Sequence, residues 1–399
     1  MPGLPARRCR THRPKHPSVL SSPMSFHCQE QRPAAWFPSS GSPPGRPWAR
    51  ACMIAFAAAL GSPAEITLHA ADGANEPALR RYEYRRVEMA VDFLVTLYAE
   101  QENAAQQAAE AAFERIRELN DVFSDYDADS ELRKLCETAG RGESAAVSAD
   151  LWNVLEKAQH IAELSDGAFD ITCGNVVRLW RRARRQRELP PPNLLKEAMR
   201  TTGRELLRLD PQQRTAELLR EGMRLDLGGI AKGYATAAAL EVLRRRGIRM
   251  AMIDAGGDLC LGDAPPGTAG WTVGVAPRGP NGPPRWILST QRQAVATSGD
   301  MWQFVVIDGK RYSHIVDPRT GLGLTNRLHC TIVHPDGPTA DALATAVSVL
   351  GIERGLKLIE SVPNAAGLLV PVEEPDDRIV ASSRWSKLAV SPRRTDRAP

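Results

Sequence analysis

One stretch constrains this chain more than any other: Leu225-Asp226-Leu227-Gly228-Gly229-Ile230-Ala231-Lys232-Gly233-Tyr234-Ala235. A short apolar and acidic segment turns on two glycines. It then enters an alanine-rich, helix-like run that ends near Gly247. A turn with little side-chain bulk at the start of a helix brings backbone N–H groups close to any anion nearby. Lys232 adds a mobile positive charge at the same end. Asp226, just before the turn, is an acceptor for a ribose hydroxyl or a ring N–H. On spacing alone this is either a phosphate or nucleotide site, or a tight strand-to-helix connection with a solvated lysine. A lone glycine motif does not separate the two.

A length of 399 residues fits two domains, or one large domain with an appendage. Apolar content of 43% supports a sizeable core. The net charge of +4 misleads, because residues 1–52 carry eight Lys/Arg against one acidic residue and the remainder stands at −3. The folded part is therefore mildly acidic and shows no basic face for nucleic acid.

The first 50 residues hold 10 of the 30 prolines and little periodicity. Residues 1–52 read as disordered, or as sequence upstream of a true start at Met53. Residues 53–71 read as a secretion signal: Arg50 flanks an apolar run to Leu60, and small residues follow at Ala70 and Ala71. The expectation is an exported protein, periplasmic or facing the periplasm, or associated with the inner membrane. The competing reading is a buried helix. Cys9, Cys28 and Cys52 fall in this region; Cys136, Cys173, Cys260 and Cys330 lack CxxC spacing, which argues against zinc.

Residues 80–375 form the expected folded domain and 376–399 a polar tail. Residues 82–99 read as strand. A helix is predicted over about 102–122, with Ala109, Phe113, Ile116, Leu119 and Phe123 on one face. Asp125 to Ser130 reads as a polar loop and helix cap. Ser148 is predicted to cap a second helix with Leu151, Val154, Leu155, Ala158, Ile161 and Ala162 inward. Six arginines between Arg178 and Arg187 surround Trp180 and read as a solvated helix face. Asp308-Gly309 between apolar runs signals a two-residue hairpin. Hairpins in succession and helices in separate runs argue for an α+β fold with mixed or antiparallel sheets.

Asp341 and Thr345 stand four apart on a predicted helix, so both oxygens project from one face. A carboxylate with a hydroxyl suits Mg²⁺, which prefers oxygen ligands and keeps several waters. Alone, such a pair is more often an N-cap acid and a back-bonded threonine.

Six motifs occur in order: Asp166-Gly-Ala-Phe-Asp170-x-Thr172, Asp226 to Ala235, Asp254-Ala-Gly-Gly-Asp258, Thr297-Ser-Gly-Asp300, Tyr312-Ser-His-Ile-Val-Asp-Pro-Arg-Thr-Gly321 and Ala340-Asp-Ala-Leu-Ala-Thr345. The series resembles the ApbE family, the FAD:protein FMN transferases, over roughly residues 85–370. The resemblance implies an α+β fold with FAD between two lobes and Mg²⁺ at its diphosphate. Family enzymes cleave FAD, attach FMN to a threonine of a target flavoprotein and release AMP. It also implies acceptor flavoproteins of membrane redox complexes, such as subunits of a Na⁺-translocating NADH:quinone reductase or Rnf-like complexes, or related exported flavoproteins.

Carried over by position, Asp341 and Thr345 match the metal ligands, with a backbone carbonyl near Gly229. Asp226, Lys232, Ala168, Phe169, Asp170 and Ile315 match FAD contacts. Met89 matches a methionine beside the adenine, although the usual Met-Gly-Thr reads Met89-Ala90-Val91 here. His314 and Asp341 are the candidate catalytic residues. His314 is either a proton acceptor or a histidine that hydrogen-bonds the substrate or its own loop. Two other readings remain: an Mg²⁺-dependent FAD pyrophosphatase, and a non-catalytic protein that binds or traffics FAD.

Overall fold

The computed structural model describes residues 78–276, 284–300, 303–372 and 379–392. The readings made for residues 1–52 and 53–71 lie outside them. The centre is an eight-stranded sheet in the order Arg80–Glu88, Val91–Ala99, Ala251–Ala255, Asp258–Leu261, Ala294–Ser298, Leu328–His334, Ala366–Pro371, Val380–Ala381. Every neighbouring pair is antiparallel. Together with the helices this is the α+β architecture expected.

The run 82–99 is two strands. They pair from Arg80↔Ala99 to Glu88↔Val91 around Met89 and Ala90, which both take positive φ (49° and 62°). Turns of this hand are normally marked by Asn or Gly. Neither is present, so the sequence showed one strand. The hairpin at Asp308-Gly309 carries the usual residues and forms as expected between Phe304–Ile307 and Lys310–Ser313.

The α-helices among the described residues are, in chain order, α1 (Glu102–Phe123), α2 (Glu131–Glu137), α3 (Ala149–Leu164), α4 (Gly174–Gln186), α5 (Pro192–Met199), α6 (Ala231–Arg245) and α7 (Gly337–Ser361). The predicted apolar stripes of α1 and α3 are buried. Ser148 caps α3 by accepting from the Leu151 N–H at 3.2 Å, and Ser130 caps α2 through Arg133 N–H at 3.1 Å.

One core lies between a face of the large sheet and helices α1, α3, α6 and α7. A second lies on the opposite face, where a three-stranded sheet (Trp271–Val275, Trp286–Thr290, Ala389–Pro392) packs Trp271, Val273 and Leu288 against Val295, Val333 and Leu368. Cover on both faces explains why Leu328–His334 and Ala366–Pro371 are buried along nearly their whole length rather than at alternate residues.

Residues 379–392, expected to belong to a polar tail, instead close this second core. Val380–Ala381 joins the large sheet, Trp385 is buried, and Ala389–Pro392 pairs with Trp286–Thr290. Its apolar residues are broken up by Ser382 to Arg384 and by Ser386-Lys387, so the segment shows no regular strand or helix period in the sequence.

A smaller module sits around α4 and the hairpin Phe304–Ser313, with a core of Val176, Trp180, Ala183, Val305, Ile307 and Tyr312. Trp180 is buried and donates from Nε1 to the Ser313 carbonyl at 3.0 Å. Residues of this module and of the main core line a common cavity. No helix among the described residues is long and apolar enough to cross a membrane.

Candidate active site

Two of the sequence motifs are stitched together before any side chain is considered. Asp226 N–H donates to the Ile171 carbonyl at 2.8 Å, and Gly174 N–H to the Arg224 carbonyl at 3.1 Å. The segment 224–228 therefore runs alongside the turn 168–174. Gly228 and Gly229 do not need left-handed backbone; neither has positive φ. Space is the reason at Gly229, where an added Cβ would stand 3.1 Å from both the Phe169 ring and the Thr345 hydroxyl oxygen.

This junction floors a slot of about 550 Å³. One wall is the 168–173 turn and the α4 face that carries Val177, Arg181 and Arg184. The other is the segment around Phe304, His314 and Ile315. Of the residues singled out in the sequence, Ala168, Phe169, Asp170, Asp226, Gly229, His314, Ile315 and Thr345 all line it. Asp341 and Lys232 connect to it from the α6–α7 contact. Met89 is not brought into the slot; it stands in the first hairpin turn, partly buried against the main core.

The acidic groups differ in how they are held. Asp170 Oδ1 accepts from the N–H (2.8 Å) and hydroxyl (2.7 Å) of Thr172, capping the turn that follows; burial raises its pKa against those two bonds. Asp226 is tied by Oδ1 to Gly228 N–H at 2.9 Å and by Oδ2 to Arg181 at 2.7 Å. Burial raises its pKa, and Arg181 opposes the rise. Arg181 also pairs with Asp125 and lies 4.7 Å over the Tyr126 ring. The α4 arginines are thus not uniformly a solvated face: Arg181 and Arg184 line the slot. Their spacing after Cys173 and Val177 follows one helical face, a signal that was legible but masked by the exposed arginines around it.

Lys232 is not mobile. Its ammonium pairs with Asp258, whose other oxygen accepts from Thr297 N–H at 3.2 Å. Burial pulls the Lys232 pKa down, but Asp258 and Asp341 outweigh it and the net direction is upward. Asp258 belongs to a quoted motif, yet nothing local announced its partner 26 residues away.

Asp341 is 5% exposed. Its Oδ2 accepts from Gly233 N–H in the first turn of α6 at 3.0 Å. Burial pushes its pKa up to about 7, with Lys232 opposing. It is not the helix cap: Asp336 caps α7, accepting from Thr339 N–H at 3.1 Å. Nor does Thr345 back-bond to its own helix, since its hydroxyl has no hydrogen-bond partner among the described residues and faces Gly229. Asp341 therefore caps the first turn of α6 rather than its own helix, and Thr345 is not back-bonded.

The profile of the ApbE family matches residues 89–369. The chain belongs to the ApbE family. It is similar to the FAD:protein FMN transferase of Treponema pallidum, 34% identical over 75% of this chain and 87% of that protein. The FAD:protein FMN transferase of Klebsiella pneumoniae is 30% identical over 69% and 84%. Among solved structures, the flavin transferase ApbE from Vibrio cholerae superposes with a TM-score of 0.69 at 27% identity, covering 78% of this chain and all of that one. The ApbE protein of Thermotoga maritima matches with a TM-score of 0.69 at 30% identity over 77% and 99%.

The donor set tests the metal that the ApbE resemblance implies. One buried carboxylate, one unpartnered hydroxyl and nearby backbone carbonyls are all hard oxygens. No group of three or more His, Cys, Asp or Glu gathers among the described residues. Zinc would need nitrogen or sulfur ligands. Mg²⁺ takes one or two carboxylates and keeps waters or substrate oxygens. The residues fit Mg²⁺.

His314 hydrogen-bonds its own loop. Its Nδ1 lies 3.2 Å from the Gln303 carbonyl, which only accepts, so Nδ1 carries the proton and Nε2 is left as the acceptor. Burial, aided by Arg184, lowers its pKa to about 4. The ring should therefore stay neutral at pH 5.5, where a solvated histidine near 6.5 is mostly charged. The sign for stability follows: the unfolded chain gains this proton as pH falls through about 6.5, while the folded chain does not until about 4. His314 thus destabilises the fold progressively over that window. NMR titration of the His314 ring signal, assigned by its loss in His314→Gln, checks this; a midpoint near 6.5 would count against the buried geometry.

Proposed function

We infer that this chain is an FAD:protein FMN transferase. It splits the diphosphate of FAD and joins the FMN phosphate to a threonine hydroxyl of an acceptor flavoprotein, with AMP leaving. One observation carries the reading: a slot lined by both apolar and charged groups includes Gly229 and Thr345, one helical turn from the buried Asp341.

Asp341, Thr345 and a carbonyl near Gly229 would hold Mg²⁺. When bound, such an ion offsets negative charge on the diphosphate. The chain's own groups supply the rest. Phe169, Ile315 and the slot walls hold the ring and exclude water. Asp258 fixes the Lys232 ammonium, a permanent positive charge that needs no reorganisation during reaction. His314 Nε2 accepts the threonine proton as the new oxygen–phosphorus bond forms; the bond to the AMP oxygen breaks and its electron pair leaves with AMP. A base with so low a pKa is weak, so positioning contributes more than basicity.

The acceptor class we favour is a flavoprotein subunit of a membrane redox complex, or a related exported flavoprotein. The apolar run before Leu60 supports an enzyme working outside the cytoplasmic membrane.

Mass spectrometry of a candidate acceptor after incubation with FAD, Mg²⁺ and this protein tests the reading. An FMN adduct on threonine is expected. FMN and AMP released into solution, with no adduct, would instead mean a pyrophosphatase. Ligand preference gives a second check. FAD should bind several-fold more tightly than FMN, because the adenosine half extends beyond the slot and Met89 is its expected neighbour. Equal affinities by fluorescence quenching would remove Met89 from the site.

A further inference from the structure

Of the three arginines that line the slot, Arg184 and Arg185 have no hydrogen-bond or ion-pair partner among the described residues, and of these two Arg185 is exposed to solvent. Arg181 is neutralised by Asp125 and Asp226. Arg184, one turn further along the same face of α4, makes no hydrogen bond or ion pair among the described residues, and its Nε is buried without an acceptor. The fold gains nothing visible from it: burial and the neighbouring Arg181 both work against its charge. A buried donor left open in a cavity points to an acceptor supplied by what fills the cavity.

Position says which acceptor. From Gly174 to Arg184 the helix advances about 15 Å. Gly229 and Thr345, where the phosphates are placed in the reading above, line the slot beside the turn that precedes α4, whereas Arg184 lies near its C-terminal end. Phe169, Ile171, Val177, Phe304 and Ile315 are the apolar part of the lining, alongside Asp170, Arg181, Asp226 and His314. A flat ring system fits such walls. The isoalloxazine ring is asymmetric: its pyrimidine edge carries two carbonyl oxygens and a ring nitrogen as acceptors, and its dimethylbenzene edge carries none. A guanidinium fork matches the first edge and not the second.

We propose that Arg184 reads the pyrimidine edge of the flavin ring and thereby sets which way round the ring enters the slot. The inference rests on the flavin reading and adds a specificity-determining residue to it. Arg184 would favour flavins over other planar ligands that lack paired acceptors on one edge.

The test compares riboflavin, which has the ring without phosphate, with FAD, by fluorescence quenching on the full chain and on Arg184→Met. The methionine keeps the apolar stem and removes the donors. The wild type should bind both ligands. In the variant both dissociation constants should rise by a similar factor of about 10 to 100, the range for hydrogen bonds from a charged donor. The melting temperature should not fall, since no bond within the fold is lost. Weakened FAD with unchanged riboflavin would place Arg184 on a phosphate and overturn the proposal. Unchanged binding of both would overturn it too, as would a wild type that takes FAD but no measurable riboflavin. A wild type that binds neither flavin would overturn the functional reading itself, and this inference with it.

Discussion

Asp341→Ala is expected to lower FMN incorporation into an acceptor by at least about a thousandfold while leaving a folded protein. Lewis-acid stabilisation by a metal at this position amounts to several kcal/mol, and each 1.4 kcal/mol is about a tenfold change in rate. The structural cost is smaller. The variant loses the acceptor for Gly233 N–H, one of the first-turn donors of α6 that no helical carbonyl can satisfy. Leaving that donor open costs about 1–3 kcal/mol. Removing a carboxylate buried beside Asp258 offsets part of this. Asp341→Asn separates the two effects. Its amide oxygen still accepts from Gly233, so melting should match the wild type, yet its missing charge should leave transfer severely impaired. Near-normal incorporation in both variants would sink the metal assignment, and the melting data would then show what Asp341 contributes to the α6–α7 contact.

Gly233→Ala should damage both stability and activity, against the usual direction for glycine in a helix. In an exposed helix the change to alanine gains about 1 kcal/mol. Here α6 and α7 meet at Gly233 and Gly337. An added Cβ at Gly233 would stand 2.8 Å from the Asp341 Cβ and collide with the Gly337 carbonyl oxygen. Backbone cannot yield as a flexible side chain does, so the helices must separate. Overpacking of this kind costs about 1–3 kcal/mol. Separation also breaks the Gly233–Asp341 hydrogen bond and shifts Asp341 relative to Gly229 and Lys232. Misplacement by about 1 Å can cost about a hundredfold in rate. A lower melting temperature with transfer reduced by about that factor is the expected pair of results. A stabilised variant with full activity would show that the helices do not approach so closely.

This glycine shows where sequence reading stops. The motif from Asp226 to Ala235 was legible as a glycine turn opening a helix, and its Lys232 and Asp226 as polar groups at that end. Its bland alternative, a solvated lysine, failed because Asp258 comes from a strand turn 26 residues later. The Asp341–Thr345 pair was legible as two oxygens on one helical face. Only the tertiary structure shows that Asp336 caps α7, that Asp341 instead serves the first turn of α6, and that the Thr345 hydroxyl is open.

The sequence by itself determined what depends on near neighbours along the chain. The apolar stripes of α1 and α3, the Ser148 cap and the Asp308-Gly309 hairpin follow from side-chain period and local hydrogen bonding, which need no distant partner. So does the order of the six motifs. Tertiary structure decided what depends on contacts between remote segments. It split 82–99 at a turn with no glycine or asparagine, drew Trp385 into the second core, and divided the α4 arginines into the paired Arg181 and the open Arg184. The physical reason is common to all three. Burial and charge pairing are set by which surfaces meet, and residues such as Arg181 and Arg184 are chemically identical until packing gives one of them a carboxylate and the other a cavity.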